Sequence, residues 1–192
     1  MRRYDHPAQP ADPYPPPGTP IAGFRYLSAL WLMRPRDAVK LRTGEDADYI
    51  VARDFLVEWR PEGGERRAIV VPAGLITDLT SVPRPFRWIV DRVGPWLEAA
   101  ILHDYLYIAW QDVPGRRPTR ADRRFADDMM LAAMREAGVG QWTAGASWLA
   151  VSLLGGRTFA EPNAERYADP GTFRAPVRDF TLPRRSGAGP DA

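Results

Sequence analysis

Residues 99–110 read AAILHDYLYIAW, an apolar run interrupted by two ionisable residues, His103 and Asp104. Wound as a helix, this run is hydrophobic on nearly every face, which predicts a central, buried helix and not a surface one. A carboxylate inside such a helix is strongly disfavoured unless a cation or several donors meet it. His103 and Tyr107, four residues apart, share a face, while Asp104 is turned from them by about 100°. The helix is therefore both the expected centre of the core and the first place to look for chemistry.

The sequence around it divides into two halves. Upstream, residues 24–33 are apolar and read equally as strand or short helix. Three strand signals follow: the short 47–51, then 54–60 with Phe55, Val57 and Trp59 alternating against polar neighbours, and the β-branched 67–71. Pro61, Gly63 and Gly64 mark a turn between the last two. The stretch 75–84 reads as a loop closing the β part, because Pro83 and Pro85 oppose helix before Phe86. Downstream, a short helix is expected over 86–93, the central helix over 95–111, a second from Thr119 to about Gly138, and a third over 142–154 ending at Gly155 and Gly156.

The fold class expected is thus α+β: a small N-terminal antiparallel β-sheet followed by a bundle of about three helices. At 192 residues one domain is expected, residues 24–160, with its β part at 24–85 and its helical part at 86–160. Twenty prolines, seven of them among residues 1–20, predict a polyproline-like arm over 1–23. A second Pro/Gly/Arg-rich arm is expected over 161–192.

Composition excludes several function classes. With no cysteine there is no disulfide framework, thiolate metal site or cysteine nucleophile. His6 lies in the arm, so the body carries a single histidine, too few for a multi-histidine metal phosphohydrolase or a zinc peptidase. A net charge of +2, with arginine almost the only cation, is no argument for nucleic acid. The N-terminal segment has no signal-peptide pattern, and 142–154 is shorter than the roughly 20 residues that span a bilayer. The protein is therefore expected to be soluble.

Four residues then stand out beside His103 and Tyr107. Asp122 lies on the stripe of Phe125 and Met129; an antiparallel pairing of the second helix with the first through 112–118 could set it against His103 as the carboxylate behind a general base. The competing reading is a capping box, since Thr119 and Asp122 have its spacing. His103 itself is otherwise a core histidine bonded to a carbonyl, and Asp104 the partner of an arginine. Asp78 and the carbonyl of Leu79 would suit calcium, which takes six to eight oxygens; alternatively Asp78 forms an Asx-turn beside Thr77 and Ser81.

Two resemblances bear on these readings. VPAGLITDLTSVPR at 71–84, AILHDYLY at 100–107 and ADRRF at 121–125 resemble a family found in bacteriophages and prophages, domain of unknown function 1353, over about residues 48–160. More distantly, His103, Asp104 and Tyr107 have the His-Asp-x-x-Tyr spacing of phospholipase A2 active sites, and Asp122, Phe125, Asp128 and Met129 look like the second catalytic helix of the bacterial enzymes. The resemblance implies a phospholipase A2-like bundle in which His103 activates water, Asp122 orients His103 and Tyr107 buttresses the pair. It also implies that Asp104, Asp78 and the Leu79 carbonyl hold calcium, which polarises an ester carbonyl. Unlike those phospholipases, this chain has no disulfides, and its 78–95 loop is not their glycine-rich calcium loop. The function expected is lipid-ester hydrolysis at the bacterial envelope during infection or lysis, with phospholipid or a membrane surface as partner. The alternative is a non-catalytic virion component of tail or baseplate, engaging other virion proteins through its arms.

Overall fold

The structure is a computed structural model that describes residues 12–34, 49–77, 94–163 and 166–173. The helix expected over 86–93, the residues Asp78 and Leu79, and the outer parts of both arms lie outside the described residues.

The β part forms two three-stranded antiparallel sheets. The first has the order β1-β4-β5, from Ile21–Tyr26 (β1), Phe55–Pro61 (β4) and Arg67–Val71 (β5). The alternation read from 54–60 is real: Phe55, Val57 and Trp59 are fully buried, whereas Arg60 is exposed. The turn between β4 and β5 contains Gly63 at φ 67°, which glycine adopts without steric penalty. The second sheet has the order β2-β3-β6, from Leu32–Met33 (β2), Tyr49–Val51 (β3) and Ile76–Thr77 (β6). Two points of the sequence reading change here. The strand expected over 47–51 pairs not with β4 but with β2 and β6, and part of the expected 75–84 loop is strand β6. These short strands are defined by pairing across the chain, which no local periodicity encodes.

The helical part follows the expected order. Helix α1, Leu97–Ile108, buries seven of its residues and is the centre of the core. Its C-terminal end is shaped by a side chain from far upstream. The Tyr14 hydroxyl donates to the Leu106 carbonyl and accepts from the Trp110 amide at 3.2 Å. It thereby occupies the i→i−4 rung between those two groups, and the chain tightens into a 3-10 turn at Ala109–Asp112. Helix α2, Arg120–Glu136, turns Phe125, Ala126, Met129, Met130, Ala133 and Met134 inward. It ends with Gly138 at φ 77°, where the Val139 amide reaches back to the Met134 carbonyl at 3.0 Å. Helix α3, Gln141–Leu154, is followed by the short α4, Gly156–Ala160, so the two glycines interrupt the helical run without ending it. No helix among the described residues is long and apolar enough to cross a membrane.

Sheet and helices share one core. Trp59 of β4 meets Phe125 of α2 at 5.0 Å between rings, and the Tyr26 hydroxyl of β1 donates to the Ala133 carbonyl at 2.9 Å. The described parts of both expected arms lie on this body. Tyr14 is buried in the core, and Arg116, which spans Asp12 and Asp122, sits 4.6 Å over the Tyr14 ring. At the other end, Tyr167 bridges to Leu75, and Arg166 and Tyr167 both bind Asp112, at 2.6 and 2.5 Å. Burying one tyrosine with both hydroxyl bonds made holds this described part of the N-terminal segment on the body.

Candidate functional site

Among the described residues His103, Asp122 and Asp127 are the charged or imidazole residues buried as whole residues; the Asp112 side chain is also enclosed, where Arg166 and Tyr167 bind it. Two of the first three face each other. His103 Nε2 lies 3.0 Å from Asp127 Oδ1, which also accepts the Tyr107 hydroxyl at 2.7 Å. The second oxygen, Oδ2, accepts the Ser152 hydroxyl of α3 at 3.2 Å. Three helices thus converge on one carboxylate that is 1% exposed. Three donors make such burial tolerable, as an unpaired carboxylate there would not be.

The donors are ordered in turn by packing. The His103 and Tyr107 rings, one helical turn apart, stack obliquely at 4.0 Å between centroids. Phe159 of α4 closes on Tyr107 edge to face at 5.2 Å. Gly155 sits against the same ring: a Cβ there would overlap the Tyr107 hydroxyl oxygen. Burial first, and the Asp127 carboxylate second, push the Tyr107 phenol well above the ordinary tyrosine range. Tyr107 is therefore a permanent donor to Asp127. Arg123 completes the frame by donating to the Ser152 carbonyl at 3.0 Å.

The arrangement assigns the imidazole tautomer. An ionised Asp127 can only accept, so the proton of a neutral His103 resides on Nε2 and the lone pair on Nδ1. Among the described residues Nδ1 has no hydrogen-bond partner, and the side chain keeps 10% of its surface exposed. A base held by a buried carboxylate, with its free nitrogen turned away from that carboxylate, can take a proton from a bound water.

Of the residues singled out in the sequence, His103 and Tyr107 are together in this cluster and Asp122 is not. Asp122 forms the capping box: its amide donates to the Thr119 hydroxyl at 3.1 Å and its Oδ2 accepts the Thr119 amide at 3.2 Å. Its other oxygen binds Arg116 at 2.5 Å. The carboxylate behind the histidine is Asp127, five residues on. Five residues turn a helix by about 140°, so the two aspartates cannot serve one spot. Asp128 is also elsewhere, accepting the Trp148 indole at 2.9 Å and pairing with Arg124.

A signal for Asp127 existed in the sequence. It precedes Met130 by three and Met134 by seven, on the inward stripe, but Arg123 at i−4 makes it look like half of a surface ion pair. For Ser152 and Gly155 no signal existed, since their roles depend on how α3 and α4 cross α1.

Asp104, one residue from His103, accepts the Thr77 hydroxyl at 2.5 Å. Its oxygens are the donor type a hard cation takes, and Thr77 immediately precedes Asp78 in the chain. The described residues supply only this one carboxylate of the calcium set implied by the resemblance; among them no three His, Cys, Asp or Glu side chains group to hold a metal.

A family described as "Protein of unknown function (DUF1353)" matches residues 51–151, just over half of the chain. That span contains β4, β5, α1, α2 and all but three residues of α3, and with them His103, Tyr107 and Asp127. No curated protein and no solved structure matches the chain.

Proposed function

The chain belongs to the DUF1353 family of proteins of unknown function, and from its site we propose that it is a hydrolase of phospholipase A2 type acting on lipid esters. The phage and prophage setting of the sequence resemblance supports a bacterial envelope as the place of action, during infection or lysis. The observation that carries the reading is the buried set of His103, Asp127 and Tyr107, with Nδ1 of the imidazole left as the available base.

In this reading Nδ1 removes a proton from water as the water oxygen attacks the ester carbonyl carbon. Asp127 holds the ring in the productive tautomer and stabilises the imidazolium that forms. Tyr107 and Ser152 keep the Asp127 carboxylate from turning away. Nδ1 then returns the proton to the departing alkoxide, releasing alcohol and fatty acid. Asp104, with Asp78 and the Leu79 carbonyl as the resemblance implies, would hold a calcium ion, whose chemistry there would be to polarise the ester carbonyl.

Fatty-acid release from phospholipid in the presence of calcium tests the reading. Loss of a general base lowers rate by roughly 10²-fold or more, so His103→Asn should fall by that much. Asp127→Asn should fall with it, while Asp122→Asn keeps its rate. Equal release from wild type and His103→Asn, or none from wild type, refutes the proposal and leaves a virion component with a buried polar core.

A further inference from the structure

Helix α3 is apolar on its outer side as well as its inner one. Its fourteen residues contain no charge. Trp142 is 93% exposed, Leu149 51%, Leu153 72% and Leu154 55%. Trp142, Leu149 and Leu153 recur at i, i+7 and i+11 and so form one stripe, roughly 16 Å long at the rise of an α-helix. Exposed apolar residues are ordinary when scattered; a continuous row of them on one helix marks a contact surface.

The chemistry around the stripe indicates what covers it. Apart from the indole N–H of Trp142 the row offers no polar side-chain group, whereas a protein–protein interface of standard size makes about ten hydrogen bonds. Lipid hydrocarbon requires none. The rim at the C-terminal end of the stripe is cationic: α2 runs antiparallel to α3 and brings Arg123 to Ser152 and Arg124 over Trp148, and Arg157 follows on α4. Arg124 and Arg157 are 67% and 89% exposed. Over the first turns of α2 and α4 four arginines meet four carboxylates, but Asp122 and Asp127 are buried, so the exposed groups, Arg120, Arg124 and Arg157 against Asp128 and Glu161, leave a small cationic excess at the surface. Guanidinium groups beside an apolar row match phosphate headgroups above acyl chains, and a tryptophan on such a row suits the lipid–water boundary.

We propose that the outer face of α3 seats the protein on an anionic lipid surface. The inference rests on the lipid-ester reading above and extends it, because the same helix touches the site: Ser152 binds Asp127, and Gly155 just beyond it abuts Tyr107. Docking by α3 sets the His103 cluster about one helix diameter from the lipid.

Co-sedimentation of the whole chain with phosphatidylglycerol or phosphatidylcholine vesicles tests this. Wild type should pellet with phosphatidylglycerol, less with phosphatidylcholine, and less as salt rises. Leu149→Gln/Leu153→Gln, both at exposed positions, should weaken binding by roughly tenfold or more. Arg120→Gln/Arg157→Gln should weaken it by roughly fivefold per arginine on phosphatidylglycerol alone. Brominated acyl chains should quench a fluorescence component that Trp142→Phe removes. His103→Asn should bind like wild type, so vesicle binding without hydrolysis by any variant supports docking while refuting the hydrolase. Absence of binding to phosphatidylglycerol, or binding unchanged in the double leucine variant, overturns the proposal. So does a dimer in solution that the leucine substitutions dissociate, since a second copy would then cover the face.

Discussion

Replacing Asp127 with alanine removes one acceptor and orphans three donors, and the consequence can be worked from burial. Ser152 is half-buried and can turn its hydroxyl to water, but the Tyr107 hydroxyl and His103 Nε2 cannot. A buried donor left unmade costs about 1–3 kcal/mol, so these two set a loss of about 2–6 kcal/mol. For a chain of this size that lowers the melting temperature by about 2–4 °C per kcal/mol. Urea unfolding followed by tryptophan fluorescence measures it directly. The sharper test is the sign of a second change. In the natural chain Tyr107→Phe forfeits a hydrogen bond and should destabilise by about 0.5–1.5 kcal/mol. In the Asp127→Ala background the same change removes an orphaned donor and should restore about 1–2 kcal/mol. Asp122→Ala, by contrast, should cost about 0.5–2 kcal/mol for its cap and add independently to Tyr107→Phe. If Tyr107→Phe destabilises the Asp127→Ala chain as much as the natural one, the carboxylate shared by three helices is not what holds Tyr107.

Two further outcomes are expected. Gly155→Ala should destabilise by about 1–3 kcal/mol, because its methyl overlaps the Tyr107 hydroxyl; Gly156→Ala, whose Cβ meets only the tip of Arg123 at 3.5 Å, should lie within about 1 kcal/mol of the natural chain. Alkaline pH should unfold the protein cooperatively. Burial raises the phenols of Tyr14, Tyr26, Tyr105, Tyr107 and Tyr167 above their ordinary value of 10.0. The folded chain then holds protons that the unfolded one releases. Stability is intact below pH 10 and falls above it by up to about 1.4 kcal/mol per unit for each tyrosine. Phenolate absorbance should rise together with loss of helical circular dichroism; titration of these tyrosines in a chain that stays folded would contradict their burial.

Much of the architecture is legible in the residues alone. An apolar run with no polar face reads as a central helix, and 99–108 lies in one, its last two residues, Ala109 and Trp110, passing into the 3-10 turn. Thr119 and Asp122 specify the start of α2 through their own spacing, and the alternation at 55–60 specifies which side of β4 faces inward. These features are local: each depends on side chains within a turn or two of one another, and the periods of helix and strand transmit them to sequence. The candidacy of His103 was legible for the same reason, because a polar residue on an apolar helix is conspicuous wherever the helix lies.

The partner of that histidine was decided only in three dimensions. Asp122 and Asp127 are both on α2 and both buried, and the spacing to His103 along the chain does not choose between them. The choice depends on where α2 crosses α1, which is set by Phe125 against Trp59 and by the Met129–Ala133 stripe packing on α1 and the first sheet. That crossing puts the first turn of α2 beside Arg116 and Tyr14, where Asp122 is consumed as a cap and ion pair, and brings the second turn over His103 and Tyr107. The docking of Tyr14, the contribution of Ser152 and the fit of Gly155 are of the same kind. Each joins residues tens of positions apart, and such pairs leave no period in the sequence because their distance is fixed by packing and not by the geometry of one element.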